Sequence, residues 1–325
     1  MIISKTPFRV SLFGGGTDYY EWFSKYEGAI IGTSIDKYCY VSLKELGKFS
    51  EYRYRLVYHL IEQGNDFQKI KHTPIKKIIQ KYIPNKNLEI NYFSDLPART
   101  GIGSSSSFVV GMLSSILYDK KIKFNRNFLA KKAIEVERKL LKENVGFQDQ
   151  ILTTFGGLNF IKFGKNDFKV SKIKLKETKK KELENSLYLV NTGIKRIASH
   201  EAKKLIQSFN KKKLILDEIY NITFEAKKIL ENDKLNIDEI GRMLDYSWSL
   251  KRQITDSISS TKIDELYQYG MTKGALGGKL LGAGNGGFIL FYVKPENSKK
   301  FLRSFKSNQV VKIGFDNLGN QVKKF

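Results

Sequence analysis

A single cysteine, Cys39, has no second thiol in the chain to pair with, and three scattered histidines, His59, His72 and His200, do not assemble a structural zinc site. Any metal used here is expected to be a hard cation held by oxygen. Proline is scarce, five in 325 residues, and there is no long polar low-complexity tract, which argues against disordered arms. No apolar run reaches the length of a membrane span. The opening MIISKTPFRVSLFGGG also lacks the basic segment, apolar core and small-residue cleavage site of a secretory signal. A cytoplasmic protein with no membrane partner is the expectation.

Negative charge is also in short supply: 33 Asp and Glu stand against 57 Lys and Arg, a net charge of +24. Such a balance suits phosphate-rich partners through counterion release. The lysines are spread along the whole chain, however, and stretches such as KKKELENS and NKKKL read as solvated helix faces rather than an aromatic-interleaved strip. No nucleic-acid partner is expected, whereas a positive field would draw in a polyanionic small substrate.

With 41% hydrophobic residues, the chain is long enough for two domains sharing a cleft. The opening alternation predicts a strand, a glycine turn and a helix start. GAIIGTSIDKYCYVSLKEL and KFSEYRYRLVYHL read as paired antiparallel strands. A helix follows with Pro74 near its start, then a strand ending at Pro97, a helix over 105–118, and another capped by Asn125. The charged run over 168–186 reads as a crossover between domains, giving units of 1–183 and 184–325. Strands and helices mix without strict alternation, so the fold class is α+β.

Three segments carry chemistry. In LPARTGIGSSSSFVVGML, Gly101 and Gly103 allow close backbone approach, and Ser104, Ser105, Ser106 and Ser107 put amides and hydroxyls at a helix start. Helix amides and a serine-held Mg2+ can bind a triphosphate without lysine, although a serine-rich helix cap fits the same letters. In TPFRVSLFGGGTDYYEW, Arg9 lies inside an apolar strand and Asp18 follows three glycines. A buried charge needs a partner or a task; a structural ion pair and a helix cap are the plain alternatives. In KLLGAGNGGFILFYV, Gly282, Gly284, Gly286 and Gly287 precede an apolar strand, fitting a tight turn or a phosphate contact.

In this order, the three segments resemble the GHMP small-molecule kinases. The resemblance rests on the N-terminal segment, on the phosphate loop from Pro97 through Gly101, Ile102, Gly103 and Ser104 to Ser105, and on the C-terminal GAGNGG. It implies a ribosomal S5-like N-terminal domain and a ferredoxin-like C-terminal domain, with ATP and Mg2+ bound at the cleft. EVERKLLKENVGFQDQ adds Glu137 twelve residues before Asp149, the spacing of the galactokinase branch. By resemblance, Glu137 with Ser105 or Ser104 holds Mg2+, Asp149 faces the acceptor hydroxyl, and Arg9 stabilises developing charge. Glu135 is the rival ligand.

Galactokinases have a Glu and a His where this chain has Gly14, Gly15, Gly16, Thr17 and Asp18; as substrate-binding candidates, the bare glycines open room for a larger sugar and Asp18 can accept its hydroxyls. The glycine-rich start resembles instead the branch that phosphorylates the anomeric oxygen of D-glycero-D-manno-heptose 7-phosphate. VNTGIKRIASH and SWSLKRQITDSIS share its look; Thr192, Gly193 and Gly284 are substrate-binding candidates, and Arg99, Lys195, Arg196, Lys251 and Arg252 are candidates for the substrate phosphate, with a surface ion pair as the plain alternative for any one cation. The implied reaction yields heptose 1,7-bisphosphate for a nucleotide-activated surface sugar. An L-fucokinase-like enzyme and a non-catalytic ligand-binding relative are the alternatives, and the assembly is left open between monomer and homodimer.

Overall fold

The first alternating segment forms β1 (Ile2–Phe13) in a computed structural model that describes residues 1–165, 167–194 and 198–325. The large sheet also holds β2 (Gly28–Glu45), β3 (Tyr54–Val57), β4 (Ile61–Gly64), β5 (Leu88–Ser94), β6 (Leu158–Phe163) and β7 (Phe168–Lys172). A smaller sheet contains β8 (Leu187–Asn191), β9 (Ala275–Leu280), β10 (Phe288–Val293) and β11 (Val310–Lys312). The last strand, β12 (Gln321–Lys324), returns to the large sheet.

The long β2 serves two neighbours besides β1. Its start, through Thr33, pairs with β6, and its end, from Cys39, pairs with β5. The path runs β12-β1-β2-β5-β3-β4. In the small sheet the order is β11-β8-β10-β9, antiparallel throughout, with helices between β8 and β9 and between β10 and β11. That order is the ferredoxin-like arrangement implied for the second domain.

Helices α1 (Tyr20–Phe23), α2 (Thr73–Tyr82), α3 (Ser104–Asp119), α4 (Arg126–Glu135) and α5 (Gln148–Phe155) belong with the large sheet. They are followed by α6 (Glu177–Ser186), α7 (Ala198–Ser208), α8 (Lys213–Glu231), α9 (Glu239–Arg252), α10 (Thr261–Thr272) and α11 (Ser298–Arg303). Asn125 caps α4 as expected, its Oδ1 accepting from the Phe128 amide at 2.8 Å. Helix α3 is buried along most of its length, with Phe108, Val109, Val110, Met112, Leu113 and Ile116 all in the core beneath β1 and β2. Burial of that face holds the helix start against the middle of β1, where Arg9 lies.

Three expectations change. The segment KFSEYRYRLVYHL does not pair with β2: β3 and β4 form a hairpin, and β3 lies parallel to β5. The charged run over 168–186 holds β7 and α6 rather than a bare crossover. Leu183 of α6 is buried, and the Lys179 ammonium donates to the carbonyls of Ile229, Asn232 and Leu235 at 2.6, 2.8 and 3.1 Å, capping the end of α8. The expected boundary between 183 and 184 falls inside α6, and β12 leaves the second unit to pair with β1.

Candidate active site

Arg9 is 3% exposed, at the centre of β1. Its Nε donates to Asp149 Oδ1 at 2.8 Å and its Nη2 to Oδ2 at 2.7 Å, a bidentate pair. Nη1 donates to the Gly101 carbonyl at 2.7 Å, and the Arg9 amide donates to the Ile102 carbonyl at 3.0 Å. Asp149 stands in the first turn of α5, where the helix dipole favours a carboxylate. The two side chains differ in access: 4% exposed for Arg9, 24% for Asp149. The pair thus has a buried cation behind an anion that faces outward.

The glycine and serine loop meets that pair directly. A Cβ on Gly103 would lie 3.0 Å from Arg9 Cγ and 3.5 Å from Asp149 Oδ2, and its φ of +76° suits glycine. The first hydrogen bond inside α3 runs from the Ser107 amide to the Gly103 carbonyl at 2.9 Å. The amides of residues 103–106 therefore precede the ladder and are available to an anion. Ser107 Oγ lies 2.9 Å from the Pro7 carbonyl, fastening the helix start to β1. Thr100 Oγ1 donates to the Pro97 carbonyl at 2.7 Å, and Ile102 is fully buried, so both ends of the loop are anchored. Arg99 holds a left-handed φ of +64° and an exposed side chain beside the loop.

Glu137 is fully buried in a single π-helical turn, Val136–Leu140. It accepts from Ser105 Oγ at 3.1 Å, from Ser106 Oγ at 2.7 Å and from Gln150 Nε2. Burial pushes its carboxyl up to about 7; the bonds from Gln150 and Ser106 oppose this, and the charge of Asp149 adds to it. A divalent cation fits this donor set, because it would supply the charge that burial denies the carboxylate, and hydroxyl and carboxylate oxygens are hard ligands. Of the two serines expected beside Glu137, Ser105 meets it; the Ser104 hydroxyl instead accepts from the Arg99 amide at 3.3 Å. Ser106 is a partner that the sequence did not single out for this carboxylate. The rival Glu135 is paired with Lys132 at 2.8 Å. Among the described residues no group of three or more His, Cys, Asp or Glu could hold a metal, so remaining ligands would come from phosphate and water.

The glycine turn after β1 meets the start of α5, where the Phe147 amide donates to the Asp18 carbonyl at 2.9 Å. Thr17 Oγ1 sits 2.8 Å from the Gly14 carbonyl and accepts from the Ala29 amide at 3.1 Å, closing the turn. Asp18 was expected to take sugar hydroxyls. Its carboxylate is 1% exposed and accepts instead from the amides of Gly16 at 3.0 Å and Gln148 at 3.4 Å. Burial pushes it up to about 6, with those amides opposing and the charge of Asp149 adding.

A further buried charge is Lys279 on β9, 3% exposed, whose ammonium crosses to the large sheet and donates to the Leu12 carbonyl at 2.8 Å. Burial brings it down to about 7, with Arg9 adding to the shift and Asp18 opposing it. No motif marks this lysine; the one available signal was a charge within the otherwise uncharged ALGGKLLG.

The C-terminal glycine loop packs against the phosphate loop. The Phe288 amide donates to the Thr100 carbonyl at 3.0 Å, and a Cβ on Gly287 would fall 2.3 Å from that oxygen. Gly284 is pressed on the Ile258 backbone, where a Cβ would meet Cα at 2.8 Å. Thr192 Oγ1 donates to the Gly287 carbonyl at 2.8 Å, and the Gly193 amide donates to Asn191 Oδ1 at 2.9 Å. Lys251, expected at the sugar phosphate, donates to the carbonyls of Leu280 and Gly282 at 3.2 and 2.5 Å, and Arg252 pairs with Asp264 at 2.9 Å. Gly284, Thr192 and Lys251 thus build the loop. Lys195 and Arg196 lie outside the described residues.

This arrangement has known counterparts. Residues 69–157 match the GHMP kinases N terminal domain and residues 227–310 match GHMP kinases C terminal. The chain belongs to the GHMP kinase family. As a GHMP kinase it is a phosphotransferase to an alcohol group, and ATP as phosphoryl donor is consistent with the family. It is 29% identical over 335 residues to the D-glycero-alpha-D-manno-heptose 7-phosphate kinase of Campylobacter jejuni, covering 95% of this chain and 94% of that one. It is also 27% identical to the galactokinase of Pyrococcus furiosus, with 92% and 90% covered. Its two α+β domains follow the crystal structure of a D-glycero-D-manno-heptose 1-phosphate kinase from Bacteroides thetaiotaomicron with a TM-score of 0.74 at 26% identity, covering 100% and 99%. The Methanococcus jannaschii mevalonate kinase, at 24% identity, shares the fold with a TM-score of 0.72, covering 98% of each chain.

Proposed function

We propose that this GHMP kinase transfers the γ-phosphoryl group of ATP to the anomeric O1 of D-glycero-D-manno-heptose 7-phosphate, giving the 1,7-bisphosphate. The observation that carries the reaction is Asp149, partly exposed, clamped by Arg9 and abutting the amide-rich start of α3. The similarity to the Campylobacter jejuni relative, along nearly the whole chain, supports the sugar. In the cytoplasm, the product would feed a nucleotide-activated sugar.

Phosphoryl transfer passes through a loose transition state, so the protein's work is positioning and charge neutralisation. In this reading the amides of residues 103–106 hold the triphosphate. Asp149 orients the sugar hydroxyl and takes its proton as the new bond from O1 to phosphorus forms and the bond to the ADP oxygen breaks. Arg9 fixes both carboxylate oxygens of Asp149, which keeps the accepting group in place. Glu137 and Ser105 would hold Mg2+, which when bound neutralises charge on the transferred group. Arg99, whose side chain is exposed beside the loop, would meet the phosphate of the incoming sugar.

The experiment is ADP release from Mg-ATP with a panel of sugars and sugar phosphates, followed by phosphorus NMR of the product. Turnover with heptose 7-phosphate and a new anomeric phosphate is the expected result. Turnover only with unphosphorylated hexoses, or phosphorylation at another oxygen, would refute the assignment.

A further inference from the structure

The two carboxylate oxygens of Glu137 are met unequally. Among the described residues, Oε2 accepts from Ser106 Oγ at 2.7 Å and from Gln150 Nε2, whereas Oε1 accepts from Ser105 Oγ alone, at 3.1 Å. Each oxygen of an ionised carboxylate has two acceptor sites, so the protein fills Oε2 and leaves one place on Oε1. The donors differ in access in the same sense. Ser106 is 2% exposed and Gln150 is 0%, while Ser105, on Oε1, is exposed.

Three helical segments bring these groups together. Helix α3 supplies both serines, the π turn after α4 supplies Glu137, and α5, packed on both α3 and α4, supplies Gln150. Among the described residues, the bond to Glu137 is the one hydrogen bond that the Gln150 side chain makes, and its Oε1 has none. A buried acceptor without a partner costs stability, and an apolar side chain of the same length would fill this space without one. Packing alone therefore does not call for an amide at this position; the carboxylate of Glu137 does. Asp149, the preceding residue, is clamped by Arg9, so the first turn of α5 holds the acceptor-facing carboxylate and the buried one at successive positions.

We infer that Gln150 and Ser106 are positioning residues for the divalent cation at Glu137: by occupying Oε2 they orient the carboxylate and leave Oε1, beside the exposed Ser105 hydroxyl, for the cation. Neither touches the reacting atoms, and both act through Glu137. Partners that hold a ligating carboxylate in place are typically worth about 10- to 100-fold in metal affinity. The neighbouring serines thus divide the work, Ser105 on the oxygen that faces the cation and Ser106 on the one turned inward. This inference rests on the proposed cation site at Glu137 and adds the residues that orient it.

The test reads metal binding directly. Mn2+ is the probe, its free fraction followed by the EPR signal of the aqueous ion, with a non-hydrolysable ATP analogue kept fully bound by excess protein. Parent, Gln150→Met, Ser106→Ala and Glu137→Gln are compared, and nucleotide binding without metal is measured for each in chelator. Gln150→Met, similar in length and apolar, should bind Mn2+ about 10-fold or more weakly, and Ser106→Ala should shift the same way, both with metal-free nucleotide binding within about 3-fold of the parent. A purely structural role would weaken nucleotide binding with and without metal alike, and that result overturns the inference. So does an Mn2+ affinity equal to the parent's in whichever of the two variants folds. In a Glu137→Gln background the carboxylate is gone, so neither substitution should weaken Mn2+ binding further; a full additional loss overturns the route through Glu137. No sugar enters these measurements. Failure of heptose 7-phosphate to turn over therefore leaves the inference standing, whereas a parent that holds Mn2+ no better than Glu137→Gln removes the cation from Glu137 and overturns it.

Discussion

Arg9 binds both carboxylate oxygens of Asp149 while its third nitrogen holds the Gly101 carbonyl, so one guanidinium sets the distance between the acceptor-facing carboxylate and the phosphate loop. That coupling joins residues 140 positions apart in the chain, and loop and carboxylate are displaced together or not at all.

Asp149→Asn keeps the size of the side chain and one acceptor for Arg9 but removes the proton acceptor. Turnover should fall by about 1,000-fold or more, the upper range for loss of a positioned acid or base, with ATP binding within about 3-fold. Single-turnover ADP formation and titration with a non-hydrolysable nucleotide measure the two quantities. Near-normal turnover would take Asp149 out of the reaction.

Glu137→Gln leaves a neutral group in a fully buried position where burial already disfavours charge. The variant should fold, and its activity should fall about 100-fold with a weaker dependence on Mg2+, because a cation that neutralises the transferred group is worth several kcal/mol. A Mg2+ titration of ADP release, with chelator as the zero point, tests this. A Mg2+ dependence identical to the parent's would move the metal elsewhere.

Much of this site was legible because its residues sit in compact glycine-rich segments. Arg9, Gly103, Ser105, Glu137 and Asp149 lie together in the fold, a grouping that the resemblance to the GHMP kinases implied. What escaped was set by tertiary contacts. Lys279 is a lone lysine in a short strand, and only the crossing of its ammonium to Leu12 gives it a role. Asp18 and Lys251 erred the other way: charges that looked ready for a ligand are satisfied by backbone groups that become neighbours only on folding. In the fold, β12 was missed because QVKKF has no pattern of its own; its place is fixed by the edge of β1.

The raised carboxyl of Asp18 makes a stability prediction with a definite sign. Ordinarily near 3.8 and here about 6, the group holds its proton longer in the folded chain than in the unfolded one. Its contribution is therefore fully present below about pH 4 and is lost as pH rises through 6. Relative to the parent, Asp18→Asn should gain stability across that window, by about 3 kcal/mol at ~1.4 kcal/mol per unit. Denaturant unfolding of both proteins at pH 4, 5, 6 and 7 gives the difference curve; a flat curve contradicts it.

Lys279 predicts the opposite slope at higher pH. Its ammonium is brought from 10.5 to about 7, so between those values the unfolded chain holds the proton and the folded chain does not. Stability from this group is present above about 10.5 and is lost as pH falls through 7. Any advantage of Lys279→Met over the parent should thus be largest near pH 7 and shrink towards pH 10. The absolute offset also carries the cost of a Leu12 carbonyl left without its donor, about 1–3 kcal/mol, so the trend with pH is the quantity to measure.

The bond from the Phe288 amide to the Thr100 carbonyl, with Gly287 pressed on the same oxygen, has a mechanical consequence. It rivets the phosphate loop to the small sheet, so separating the two domains at that point breaks a backbone bond and a close-packed contact together. The Lys279 ammonium on the Leu12 carbonyl is a second tie between the same two sheets, so the phosphate loop and the end of β1 are both fastened to the small sheet, and a strain applied to either is shared by the two.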